Sequence, residues 1–368
     1  MPSRRPQEAA KEARPATPRT PWAAPGNKLI LGENLQVLHK LVENAGIAGK
    51  VDLIYIDPPF STNLNFFIHE DRANTISHAG EGKIAYSDRL TGEDFLAFLR
   101  QRLILLRELL SPQGSIYLHI DCKVGHYVKV LMDEIFGAEN FRNDITRIKC
   151  NPKNFKRKAF GNMKDMILFY TRGNDYIWNE PIQPYSQEDL QRLFPKVDAN
   201  GRRYTTVPIH APGETRNGKS AQPFRGMLPP KGRHWRTDVE TLERWDAEGL
   251  IEWSRTGNPR KKIYADERTG KRVQDIWEFK DPQHPLYPTQ KNLDMLRLIV
   301  RTSSNAGSTV LDCFCGSGTT LVAAQELGRK WIGIDESEQA ISVTRQRLED
   351  LQADNLFSQA KYQYIEAE

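Results

Sequence analysis

The chain has 368 residues, of which 39% are apolar and 27% charged, with a formal net charge of +5. That length holds two domains or one large α/β domain with an insertion, and the balance excludes a wholly disordered chain. No run approaches the roughly 18 consecutive apolar residues that cross a bilayer. The four cysteines are too few and scattered for a disulfide framework.

Residues 1–26, rich in Arg, Ala and Pro, read as a disordered basic arm without the apolar stretch of a secretory signal, so a cytoplasmic location is expected. Residues 27–149 alternate strand and helix patterns. Lys28–Leu31 is a short strand, Asn34–Val42 has helical spacing, and Val51–Ile56 is a buried strand ending in Asp57-Pro58-Pro59-Phe60. The long polar stretch from Phe60 to Ser87 has no periodicity and reads as a loop. Glu93–Leu110 is an amphipathic helix, Ser115–Ile120 a strand and Lys123–Phe136 a helix.

Residues 150–285 differ in texture, being rich in Pro, Gly, Arg and Trp, and read as an inserted α+β target-recognition region. Residues 151–285 carry 25 Lys+Arg against 18 Asp+Glu, whereas the rest of the chain carries 27 against 29. A localised positive excess attracts phosphate backbones, although a solvated basic surface would look the same. The four tryptophans Trp178, Trp235, Trp245 and Trp253 read as core rather than base-stacking groups.

Residues 286–352 resume the α/β rhythm: helix Leu293–Ser303, strand Thr309–Leu311, helix Gly318–Leu327, strand Trp331–Ile334 and helix Glu338–Leu351. Residues 353–368 read as a tail. Such alternation predicts a Rossmann-like, doubly wound, mostly parallel sheet with helices on both faces.

Two motifs carry chemistry. Asp312-Cys313-Phe314-Cys315-Gly316-Ser317-Gly318-Thr319-Thr320 is a strand meeting a glycine turn that opens a helix. Its two glycines let the backbone turn tightly beside a ligand. The next strand ends in Asp335, an acidic group suited to ribose hydroxyls. Leu321 stands where a nicotinamide fingerprint needs its third glycine, which disfavours a dehydrogenase. The other motif, Asp57-Pro58-Pro59-Phe60, sits where ligands of open α/β sheets bind, beyond a strand's carboxyl end. Its carboxylate and a neighbouring carbonyl can accept both protons of an exocyclic amine, and an aromatic ring can stack on a base. Cys313 and Cys315 have no His or second Cys pair at metal spacing, so no metal is expected.

Together, and in this order, the two motifs resemble the beta-class amino-methyltransferases of DNA. Leu31-Gly32-Glu33-Asn34-Leu35, Tyr287-Pro288-Thr289-Gln290-Lys291 and Gly328-Arg329-Lys330-Trp331-Ile332-Gly333-Ile334-Asp335 extend the likeness to modification subunits of type III restriction systems and their solitary relatives. The resemblance covers roughly residues 27–150 and 285–350. It implies S-adenosylmethionine as cofactor and double-stranded DNA as substrate, with N6 of a flipped adenine as target. By position, Asp57, Pro58, Pro59 and Phe60 would hold the base. Asp312, Phe314, Gly316, Ser317, Gly318 and Thr319 would line the cofactor's methionine end, and Asp335 would take its ribose. Glu33 and Asn34 would lie near its adenine, and Thr289, Gln290 and Lys291 near its carboxylate. The family usually has Pro where Asn292 stands. DNA contacts are expected from Lys153, Lys156, Arg157, Lys158, Arg202, Arg203, Arg225, Arg233 and Arg236. The resemblance favours a homodimer; type III subunits are much longer, which argues against a restriction-subunit partner. The alternatives are N4 of cytosine as target, an RNA or protein-amide methyltransferase, and a catalytically silent DNA-binding regulator.

Overall fold

The computed structural model describes residues 22, 26–44, 46–59, 65–69, 72–74, 83–87, 92–152, 158–215, 217–288, 290–354 and 361–367. Phe60, Lys153, Lys156, Arg157 and Thr289 lie outside the described residues. The chain divides into two compact units, Met1–Pro181 with Gln274–Glu368, and Ile182–Val273.

The first unit is built on a nine-stranded sheet. In chain order its strands are β1 (Asn27–Leu31), β2 (Val51–Ile56), β3 (Leu110–Ile120), β4 (Phe141–Ile148), β5 (Lys164–Thr171), β6 (Ile276–Trp277), β7 (Thr309–Asp312), β8 (Lys330–Asp335) and β9 (Tyr362–Glu366). Their spatial order is β6-β4-β5-β3-β2-β7-β8-β1-β9. All neighbours run parallel except β5, which is antiparallel to both β3 and β4. The doubly wound α/β architecture expected from the alternation is therefore present.

Strand β2, Val-Asp-Leu-Ile-Tyr-Ile, is buried along nearly its whole length, as a central parallel strand must be. Ile54 and Ile56 join an apolar cluster with Val37, Leu38 and Leu41 of helix α1 (Asn34–Asn44) and Leu99, Leu103 and Leu106 of α2 (Gly92–Leu109). Leu53 and Tyr55 are buried too but alternate to the opposite face. Helices α3 (Gly125–Phe136), α4 (Leu293–Ser303), α5 (Thr319–Glu326) and α6 (Glu338–Asp354) complete the layers.

Three elements depart from expectation. Residues 353–368 are not simply a tail: β9 pairs in parallel with β1 from Asn27↔Tyr362 to Leu31↔Glu366. Within the polar stretch 60–87, Asn65–His69, Arg72–Asn74 and Lys83–Ser87 form a three-stranded antiparallel sheet. Segments of 150–285 belong to the large sheet, as β5 and β6, and only Ile182–Val273 forms the separate unit.

That second unit has a four-stranded antiparallel sheet made by Lys196–Val197, Arg203–Pro208, Pro259–Tyr264 and Ile251–Trp253. Its small core gathers Ile209, Phe224, Trp235, Leu242 and Ile251. Trp235 is fully buried, whereas Trp253 stacks on Phe224 and keeps 41% of its surface exposed. In the first unit Trp178 likewise stacks on Phe169 while 46% exposed. Core and surface roles are thus divided among these rings.

Candidate active site

Because β2 and β7 are adjacent and parallel, in register at Leu53↔Val310 and Ile54↔Leu311, their carboxyl ends leave the sheet side by side. Asp57 and the Asp312–Gly318 turn therefore meet. The adjoining β8 delivers Asp335 to the same edge, and β1 delivers Glu33 and Asn34. This is the sheet position at which open α/β folds bind ligands.

At Asp57 the two carboxylate oxygens differ. Oδ2 lies 2.5 Å from Nζ of Lys291, in a pair only 15% and 11% exposed. Oδ1 is buried and has no hydrogen-bond partner among the described residues. A buried acceptor left open costs about 1–3 kcal/mol, so it marks a place where a donor is due. Pro58 is buried beside it.

Behind Asp57 lies a buried polar chain that the sequence reading missed. His119, fully buried near the carboxyl end of β3, has Nδ1 3.6 Å from Asp57 Oδ1 and 2.9 Å from the Tyr55 hydroxyl. Its Nε2 is 3.2 Å from Asp165 Oδ2, and Lys149 Nζ donates to Asp165 Oδ1 at 2.6 Å. Arg147 NH1 stands 3.6 Å from Asp165 Oδ2 and its NH2 bonds Asp281. Burial pushes the Asp165 carboxyl up, but the His119 hydrogen bond and the Lys149 ammonium outweigh it and hold it well below the usual carboxylate range. Burial pushes the His119 imidazole down, toward the neutral ring. A neutral ring that donates Nε2–H to Asp165 leaves Nδ1 to accept from Tyr55. The available signal was a lone histidine inside the apolar run Ile116-Tyr117-Leu118-His119-Ile120.

The glycine turn is held by its own acids. Asp312 Oδ1 accepts from the Phe314 N–H at 3.0 Å, and Oδ2 from the Thr320 hydroxyl at 2.6 Å. Burial, with the Asp57 charge adding to it, raises Asp312 to about 7 against those two donors. Asp335 accepts from Gly316 N–H at 2.8 Å and Ser337 N–H at 3.0 Å, and burial raises it to about 6. Gly316 has φ +50°, and a Cβ there would meet nothing nearer than the Tyr287 ring at 4.0 Å. At Gly318, φ +71°, a Cβ would fall 2.5 Å from Thr344, so that glycine is required by packing.

Other expected contacts are already engaged within the chain. Glu33 accepts from the N–H groups of Leu35 and Gln36, capping α1, and from Arg102 at 2.5 Å. Asn34 donates to the Cys313 carbonyl and accepts from Arg102. Arg347 NH1 reaches the hydroxyls of Ser317 and Thr319 at 3.2 and 3.0 Å. Gln290 closes its own turn by accepting from Leu286 N–H. Asn292 caps α4 by accepting from Asp294 and Met295 N–H, which accounts for a residue other than Pro there. In the Ile182–Val273 unit, Arg202 pairs with Asp266 and Glu267, and Arg225 with Asp246. Arg203 donates to the Phe194 carbonyl. Arg236 donates to the His210 carbonyl and Arg233 lies 3.2 Å from His210 Nδ1. Lys158 is exposed in the first unit.

Among the described residues no group of three or more His, Cys, Asp or Glu could hold a metal, and no helix is long and apolar enough to cross a membrane. A family model described as DNA methylase matches residues 51–346. The chain is 45% identical over 317 residues to the type II methyltransferase M.EcaI of Enterobacter cloacae, covering 84% of this chain and 67% of that one. It is 25% identical over 339 residues to the StyLTI Mod subunit, a type III restriction-modification protein of Salmonella typhimurium, spanning 83% of this chain but half of the relative. Among solved structures it resembles an M1.HpyAVI complex with S-adenosylmethionine, at 15% identity and TM-score 0.47, covering 87% of this chain and 98% of that one.

Proposed function

The chain belongs to the DNA methylase family, and from that premise we propose that it transfers a methyl group from S-adenosylmethionine to the N6 amine of adenine in double-stranded DNA. The observation that carries this reading is Asp57 Oδ1 at the end of β2, buried and without a hydrogen bond among the described residues, beside the glycine turn at the end of β7. The cofactor would lie over Gly316, where a Cβ would meet nothing nearer than the Tyr287 ring at 4.0 Å, with Asp312 and Asp335 as its acidic partners. When bound it supplies an activated methyl group on a sulfonium. The chain's own task is then to orient the amine and stabilise the positive charge developing on nitrogen. An amine N–H donates to Asp57 Oδ1, which drains the nitrogen's conjugation with the ring and frees its lone pair. Reaching that atom requires the base to leave the duplex, at a cost of a few kcal/mol.

Aspartate at position 57 favours adenine, since relatives acting on N4 of cytosine more often carry Ser there. The restrained geometry of Arg202 and Arg225 shifts the proposed DNA contacts toward Lys158, Arg203, Arg233 and Arg236. Single-molecule sequencing of DNA from a methylation-free host expressing the gene tests the whole reading. N6-methyladenine in one sequence context is expected. N4-methylcytosine would move the target to the other base, and unmodified DNA would leave a silent binding protein.

A further inference from the structure

The buried chain behind Asp57 is assembled from four strands of the large sheet. Tyr55 comes from β2, His119 from β3, Asp165 from β5 and Arg147 from β4, with Lys149 just beyond β4. Burying an imidazole, a carboxylate and a guanidinium together is costly unless each is paired, and apolar side chains would fill the same space. The pairing has a direction. Lys149 and Arg147 hold Asp165 ionised, Asp165 faces Nε2, and Nδ1 faces the open oxygen of Asp57.

We propose that His119 is the positioning residue behind Asp57 and the resting place of the proton that the methylated amine releases, an inference that rests on the methyltransferase reading. As the new N–C bond forms, the methyl C–S bond breaks and its electron pair leaves with sulfur. The nitrogen, now cationic, gives one proton to Asp57 Oδ1, and that proton moves on to His119 Nδ1. Asp57 is left anionic, the amine neutral, and the imidazolium is stabilised by Asp165. The Tyr55 hydroxyl, 2.9 Å from Nδ1, donates to the neutral ring and turns to accept from the charged one. The charged and titratable groups facing the ring are Tyr55 and Asp57 from β2, Asp165 from β5, Arg147 and Lys149 through Asp165, and Lys291 from the segment before α4.

The test combines His119→Asn, which cannot be protonated, with Asp165→Asn, which keeps the bond to Nε2 but removes the charge. Single-turnover methyl transfer to duplex DNA, with S-adenosylmethionine saturating at every pH so that its binding does not shape the profile, is followed from about pH 5 to about pH 9. Wild type should lose rate on the acid side as His119 becomes protonated beforehand. His119→Asn should lower the plateau by roughly a hundredfold and abolish that acid limb. Asp165→Asn should shift the limb to lower pH. Loss by one constant factor at every pH, or no loss, overturns the relay and leaves a structural histidine. Nitrogen-15 spectra of the wild-type histidines read the same claim without any variant: a neutral Nε2–H ring is expected near pH 8, and a neutral Nδ1–H or doubly protonated ring overturns it. Wild-type protein that transfers nothing to DNA refutes the functional reading as well, whereas active wild type with pH-independent variants refutes the relay alone.

Discussion

The carboxyl edge of the large sheet and the Ile182–Val273 unit handle charge in opposite ways. At the edge, His119, Arg147, Asp165 and Asp312 are all almost fully buried and each has assigned partners. In the smaller unit Arg202 is bonded to Asp266 and Glu267, Arg225 to Asp246, and Lys196 to Glu252, near or at the surface. Water screens the second set, so those pairs fix loops at little energetic consequence. Out of water the first set interacts strongly, and a change of one charge there alters the protonation of its neighbours. The comparison teaches that the basic excess of residues 151–285 is a poor guide to where electrostatics matter most in this chain.

The sharpest way to break that contrast is Asp57→Ala. It should cut methyl incorporation by about a thousandfold while leaving cofactor affinity, read by calorimetry, nearly intact. Near-normal methylation would remove the chemistry from this edge. A smaller effect concerns Asp312 and Asp335, which burial raises to about 7 and about 6. Both folded values lie above those of the unfolded chain, so the ligand-free protein binds extra protons. The corresponding stability is fully present below the unfolded carboxylate pKa and is lost as pH rises through about 6 to 7. A cationic ligand prefers the ionised carboxylates, so S-adenosylmethionine affinity should rise severalfold, roughly threefold to tenfold, between about pH 5.5 and about pH 8. Asp312→Asn should flatten that rise; an unchanged slope would assign it elsewhere. At the small end, Arg202→Ala should leave the thermal midpoint unmoved within error, despite losing two ion pairs. A clear fall would show that the smaller unit also depends on its charges.

Much of the candidate site was legible because its local signals fall at strand ends. Asp57-Pro58-Pro59 ends a strand whose apolar run is plain, and Asp312 to Gly318 carries its glycines in the order a tight turn requires. The buried chain was not legible. Tyr55, His119, Lys149 and Asp165 are far apart in sequence and meet only because β5 runs antiparallel between β3 and β4, bringing its amino end to their carboxyl ends. Strand β4, Phe-Arg-Asn-Asp-Ile-Thr-Arg-Ile, is too polar to announce itself, although Ile145 and Arg147 alternate inward. Strand β9 was missed for a similar reason: it is a short edge strand with mixed polarity, and its pairing with β1 supplies what its composition does not.

What the sequence determined by itself was the alternation of elements, the two strand-end motifs and their order, because each follows from side-chain periodicity and backbone freedom within a few residues. What only the tertiary structure decided was occupancy: that Glu33, Asn34, Ser317 and Thr319 are already engaged within the chain, while Asp57 keeps one oxygen open. A hydrogen bond depends on distances of a few tenths of an ångström between segments tens to hundreds of residues apart, as Glu33 and Arg102 or Asn34 and Cys313 are, and no local pattern encodes them.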